Sequence, residues 1–176
     1  MKRLIGMDHA GEHGVYLSDC GAYRYRLWRE WDASRSTLTF LMLNPSTEDD
    51  LDEEATLTRC FARAVANDFG RLEVVNLFPL RATSPDELLS DPAALGPRRL
   101  ANGAILEAVD SASMVICAWG SHEAAAIRVA DVVHLLCITS MARKLFHLGL
   151  SADGNPIHPL SVPASRRPEQ FTWNPS

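Results

Sequence analysis

Between residues 15 and 31, Tyr23, Tyr25 and Leu27 alternate with Arg24, Arg26 and Trp28, the period of two expected of an extended segment. Residues 38–43, L-T-F-L-M-L, form a nearly continuous apolar run of strand length, as a strand covered on both faces requires. N-P-S-T at 44–47 breaks it. From about Glu54, the residues Leu57, Cys60, Phe61, Ala64 and Val65 recur at helical spacing, and Asn67, Asp68 and Gly70 mark where that helix should end. A second buried strand is expected at 72–77, L-E-V-V-N-L. Pro97 suits the first turn of a helix reaching about Ala108, with Leu100, Ala104 and Leu106 or Ala108 inward. Residues 114–119, M-V-I-C-A-W, read as a third strand closed by Gly120, followed by a helix from about His122 to Val133. Residues 145–149 read as a short fourth strand, Asp153 and Gly154 as a turn, and the proline-rich 163–176 as an extended surface tail.

Strands alternating with helices predict a mostly parallel, roughly four-stranded central sheet in a three-layer α/β/α sandwich. A β-rich extension (1–36) precedes that core (37–162), and the tail follows it within a single domain. Right-handed crossovers then bring the C-terminal ends of the strands to one edge, where such sheets bind ligands.

The 176 residues suit one domain with a core that needs no disulfide or metal staple. A composition of 47% hydrophobic and 22% charged residues excludes disorder. No apolar run near a strand is long enough for a bilayer, and the N-terminus has no secretory signal; a soluble, cytoplasmic protein with no membrane partner is expected. Cys20, Cys60, Cys117 and Cys137 are too scattered for a zinc knuckle or an iron–sulfur cluster. Cys60 and Cys117 read as small buried hydrophobes, and no metal or cofactor is expected.

A net charge of -5 argues against strong affinity for duplex DNA, and the sequence leaves the oligomeric state open. Fifteen of the 17 basic residues are arginines, and Arg24, Arg26, Arg29 and Arg35 crowd one segment. They are either a phosphate- or carboxylate-recognising surface or a solvated one. Residues 48–54 hold six acids in seven positions, a solvated run or an oxygen-rich Mg²⁺ ligand set.

Four places at the expected strand ends carry candidate chemistry. In L-N-P-S-T at 43–47, Asn44 either braces a capping turn or presents its amide to water or ligand, and Ser46 or Thr47 can cap a helix. Asn76 offers two donors and an acceptor, enough to read one edge of a nucleobase, or it satisfies loop backbone. Arg81 in the following F-P-L-R-A-T can clamp a phosphate or carboxylate. In A-W-G-S-H at 118–122, Trp119 is a stacking platform or core, and Gly120 permits close approach of a ligand. His158, before Pro159, is an acid–base candidate or a loop residue.

In this order, x-N-P, V-N, A-W-G-S-H and H-P resemble the motifs of the uracil-DNA glycosylase superfamily across residues 38–160. The resemblance implies that Asn44 holds a water, Asn76 selects an extruded base, and His158 donates to the base oxygen as the glycosidic bond breaks. Ser46 stands where many uracil enzymes use a tyrosine that excludes thymine, which implies loose base selectivity. L-N-P-S-T, V-V-N-L-F-x-L-R-A-T, A-W-G and L-G-L-x-x-D-G-x-P-x-H-P-L are also similar to a family known only as a domain of unknown function. With Arg24-x-Arg26 and Trp31-Asp32 included, that similarity covers nearly the whole chain. The leading expectation is a protein that recognises a nucleobase, a nucleotide or single-stranded nucleic acid and hydrolyses an N-glycosidic bond. The alternatives are a non-catalytic binding module with the same pocket, or an enzyme acting on an unrelated phosphorylated metabolite through Arg81.

Overall fold

A computed structural model describes residues 1–47 and 51–173, without the side chains of 51–54. Among the described residues, eight strands form one sheet. They are β1 (Lys2–Asp8), β2 (Gly11–Leu17), β3 (Arg24–Glu30), β4 (Thr37–Met42), β5 (Arg71–Asn76), β6 (Met114–Cys117), β7 (Leu145–His147) and β8 (Glu169–Gln170). The helices are α1 (Leu51–Ala66), α2 (Glu87–Ser90), α3 (Arg98–Ser111) and α4 (Glu123–Ile138).

The spatial order is β1-β2-β3-β5-β4-β6-β7-β8. Pairing is parallel for β5–β4, β4–β6 and β6–β7 and antiparallel for the other four neighbours. The expected mostly parallel, roughly four-stranded central sheet of an α/β/α sandwich is therefore wrong. The sheet is mixed, twice as wide, and antiparallel in most of its pairings. Periodicity locates strands without fixing their direction. The N-terminal segment folds as a three-strand meander that joins β5 antiparallel, and the tail closes the other end as β8.

The individual elements fall close to the expected positions. β4, β5, β6 and β7 occupy the four apolar runs, and α1, α3 and α4 the three helical patterns. Alternating strand residues feed two cores. On one face Leu41, Val75, Leu77, Val115 and Cys117 pack with Ile105 and Val109 of α3 and Val129 and Val132 of α4. On the other, Leu38, Phe40, Met42, Leu72, Val74, Ile116 and Ala118 pack with Cys60 and Ala64 of α1. Side chains on a strand point alternately to its two faces, which is why these runs are apolar throughout.

Gly70 is required where α1 returns to the sheet: a Cβ there would lie 1.9 Å from the Asp32 carbonyl oxygen. The tail is not merely extended on the surface. Phe171 donates its N–H to the Leu145 carbonyl at 2.9 Å, and its ring is buried against Trp119 and His147. Arg63 of α1, itself buried, donates to the carbonyls of Arg166 and Pro163 at 2.6 and 2.9 Å. No helix among the described residues is long and apolar enough to cross a membrane.

Candidate functional site

The C-terminal ends of β4, β5, β6 and β7 lie side by side, and their loops are stitched together by backbone hydrogen bonds. Leu77 and Phe78 donate to Met42 and Leu43 at 2.8 and 2.9 Å, and Ala82 donates to Pro45 at 3.1 Å. Ala118 donates to Leu41 at 2.8 Å, Gly120 to Pro156 at 2.9 Å, and Ile157 to Gly149 at 3.0 Å. Three of the four sequence motifs enter this network directly, and His158 follows Ile157 in chain.

Asn76, the last residue of β5, pairs in register with Met42. It has the strand parity of Leu72 and Val74, so its side chain belongs to the face covered by α1. It is only 7% exposed, and its Oδ1 is buried without a hydrogen-bond partner. His158 reaches the same face. Ile157 and Val162 pack into the α1-side core, and the 3₁₀ turn Pro159–Ser161 rests against α1.

Asn44 is half-buried, and its Nδ2 donates to two carbonyls, those of Pro45 and Ala82, both at 3.1 Å. The amide braces its own turn against the loop after β5. Ser46 is half-buried beside it, and Thr47 pairs with Thr83 through their hydroxyls at 3.2 Å.

Trp119 does not join these residues. It has the parity of Val115 and Cys117 and is buried in the opposite core, edge-on to Phe171 at 5.5 Å, with its Nε1 lacking an acceptor. Gly120 is at φ +75°, a left-handed conformation that favours glycine. Arg81 turns toward the loop between β2 and β3, donating to the Gly21 carbonyl at 3.2 Å. Of the run at 48–54 weighed as a Mg²⁺ ligand set, residues 48–50 and the side chains of 51–54 lie outside what is described. Among those described, no three His, Cys, Asp or Glu side chains gather as a metal site.

Three histidines at or after strand ends share one device that sequence reasoning missed. Nδ1 of His122, His147 and His158 accepts the backbone N–H two residues on, from Ala124, Gly149 and Leu160. A nitrogen that accepts carries no proton, so each neutral ring is protonated at Nε2. In His122 that Nε2 meets Asp86 Oδ1 at 3.1 Å. For His122 and His158, a histidine directly before a helix or a Pro-led turn is the sequence signal for such a cap.

The arginine-rich segment is spent within the fold. Arg26 pairs with Glu73 and Glu107, Arg29 with Asp8, and Arg35 with Asp32 and Asp68. Burial pushes the thiols of Cys60 and Cys117 up, that of Cys60 to about 12, so neither is a nucleophile at neutral pH.

Residues 24–160, more than half of the chain, match the family described as Protein of unknown function (DUF1643). The chain belongs to that family. No curated protein and no solved structure matches it.

Proposed function

We propose that this member of a family whose description names no activity binds a nucleobase or nucleotide at the sheet edge where Asn44, Asn76 and His158 emerge. The observation that carries the reading is the buried, unpartnered Oδ1 of Asn76. Leaving such an acceptor unmet costs about 1–3 kcal/mol, a cost that a ligand N–H would relieve. The N–H beside a ring carbonyl in a nucleobase is a donor of that kind, and its flat edge suits an amide reader. His158, whose Nδ1 accepts the Leu160 N–H, stands on the loop that packs against the same face.

Binding is better supported than hydrolysis. With Nδ2 of Asn44 held by two carbonyls, its remaining oxygen can accept from a water but cannot take the water's proton. General-base help, typically worth about 10²–10⁴-fold, is therefore missing from this residue. N-glycosidic hydrolysis is the second reading, favoured by the backbone bonds that bring the loops after β4 and β5, with their N-P and V-N motifs, to one edge. The phosphorylated-metabolite reading loses support because Arg81 is directed to the Gly21 carbonyl.

The test is calorimetric titration and thermal melting with free bases, nucleosides and nucleotides at millimolar concentration. A ligand that prefers the native state raises the melting temperature by mass action. Asn76→Ala should abolish that rise while the protein still folds. No rise with any ligand of the panel overturns the proposal. Abasic sites forming in a uracil-containing single strand would favour the hydrolytic reading over simple binding.

A further inference from the structure

The helices cover only part of the sheet. α3 lies against β3, β4 and β5, and α1 against β5, whereas β1 is the outermost strand and its side chains stand largely in solvent. Leu4 is 54% exposed, Ile5 51% and Met7 72%. An open edge seven residues long, apolar at Leu4, Ile5 and Met7 and with no proline or bulge within β1, is a surface that natural sheets usually pair or block.

The ladder fixes which atoms face outward. Trp31, continuing β3, donates its N–H to Gly70, so beyond the register shift near Arg24–Arg26 the odd residues of β3 bond toward β5 and the even ones toward β2. Carried across the registers Trp28↔Gly14 and Val15↔Leu4, this alternation points Lys2, Leu4, Gly6 and Asp8 at β2. It leaves the N–H and C=O of Arg3, Ile5 and Met7 turned outward. The two-residue turn at His9 and Ala10 agrees, since such turns close on a hydrogen-bonded pair, here Asp8↔Gly11.

We infer that β1 pairs antiparallel with β1 of a second copy of this chain about a two-fold axis at Ile5. Among two-fold registers, only this one matches all seven positions of Lys2–Asp8. It sets Ile5 against Ile5, Arg3 against Met7, Leu4 against Gly6, and Lys2 against Asp8. The outward groups of residues 3, 5 and 7 then meet their own counterparts as hydrogen-bonded pairs. The charges are compatible: Lys2 lies over Asp8 of the other copy, where it adds to the Arg29 already paired with that carboxylate, and no like charges face each other. A two-fold contact uses the same patch twice, and β1 satisfies that demand in charge, apolar surface and hydrogen-bond parity together.

The test is the mass of the full chain by light scattering and sedimentation, from about 1 to 100 µM. A concentration-dependent dimer is expected, and a monomer throughout that range overturns the proposal. Ile5→Lys and Ile5→Glu each place like charges face to face on the axis and should weaken the dimer by about tenfold or more. Mixing the two variants should restore it, because opposite charges then meet. Met7→Lys, set against Arg3 of the second copy, should weaken the dimer similarly. Circular dichroism and the melting temperature identify any variant that fails to fold, and the remaining variants then decide. A dimer that persists in the folded variants, or a mixture that stays monomeric, overturns the assignment.

Discussion

Arg26 of β3 donates its Nε–H to the carboxylate of Glu73 in β5, and Glu73 is wholly buried. Arg71 reaches the other carboxylate oxygen at 3.4 Å, and Arg26 extends to Glu107 of α3 at 2.8 Å. A charge removed from water is tolerated only when it is paired and hydrogen-bonded. This network fixes the N-terminal meander to β5, the strand that ends in Asn76, and to α3.

Glu73→Gln removes the anion while leaving two arginines aimed at it. Breaking a buried pair by removing one partner costs about 3–5 kcal/mol. Denaturant unfolding should show a loss of that order. Arg35→Ala, whose partners Asp32 and Asp68 are exposed, should change stability by about 1 kcal/mol or less. Equal effects in the two variants would mean that the Glu73 network is no stronger than a surface pair.

The four thiols divide by burial. Cys20 and Cys137 are exposed, Cys60 and Cys117 buried. A hydrogen bond with the Ser18 hydroxyl lowers the Cys20 thiol further. An alkylating reagent should modify two thiols in the native protein, Cys20 first, and all four after unfolding. Cys60 and Cys117 also set an alkaline limit. Their native values lie above the ordinary 9.0, so unfolding releases protons once the pH passes about 9. Their contribution to stability is full below that pH and falls as the pH rises toward the native values. Melting temperatures on either side of pH ~9 should show the decline.

Arg63 holds the chain's last segment from beneath. Arg63→Ala removes both donors to the Pro163 and Arg166 carbonyls. A loss of about 1–2 kcal/mol in local stability raises the open population roughly 5–30-fold. Trypsin should then cut between Arg166 and Arg167 faster in proportion, while the sheet core melts at a nearly unchanged temperature. Cleavage at the wild-type rate would show that β8 and Phe171 suffice to anchor the tail.

What the sequence made legible follows from what periodicity encodes. Continuous apolar runs placed β4 to β7 because both faces of those strands are covered, and the order of motifs pointed to loops that do meet at one edge. Strand direction depends on pairings across long sequence separations, such as Leu27↔Val74, which no local pattern states. Nor does composition say that Arg26 will be neutralised by a glutamate 47 residues away. Trp119 shows the limit at single-residue scale. Its place after β6 was readable, but the face it occupies follows from one residue of parity, and that parity sends it into the core.

Asn44 is where structure changes the chemical expectation most. A carboxylate here would be the obvious way to strengthen a weak hydrolase, yet Nδ2 is the donor that ties the Pro45 and Ala82 carbonyls at 3.1 Å each. Asn44→Asp replaces that donor with an acceptor facing two acceptors. The variant should lose about 1–3 kcal/mol, and hydrogen exchange should quicken in residues 43–47 and 77–83. Its deficit should shrink on acidification, when the carboxyl takes up a proton and can again donate to one carbonyl. Asn44→Ala, which loses the bonds without adding repulsion, should be the milder change at neutral pH and show no such recovery. If Asn44→Asp instead matches the wild type in stability and gains base-releasing activity, the amide is a weakened catalytic group and not a brace.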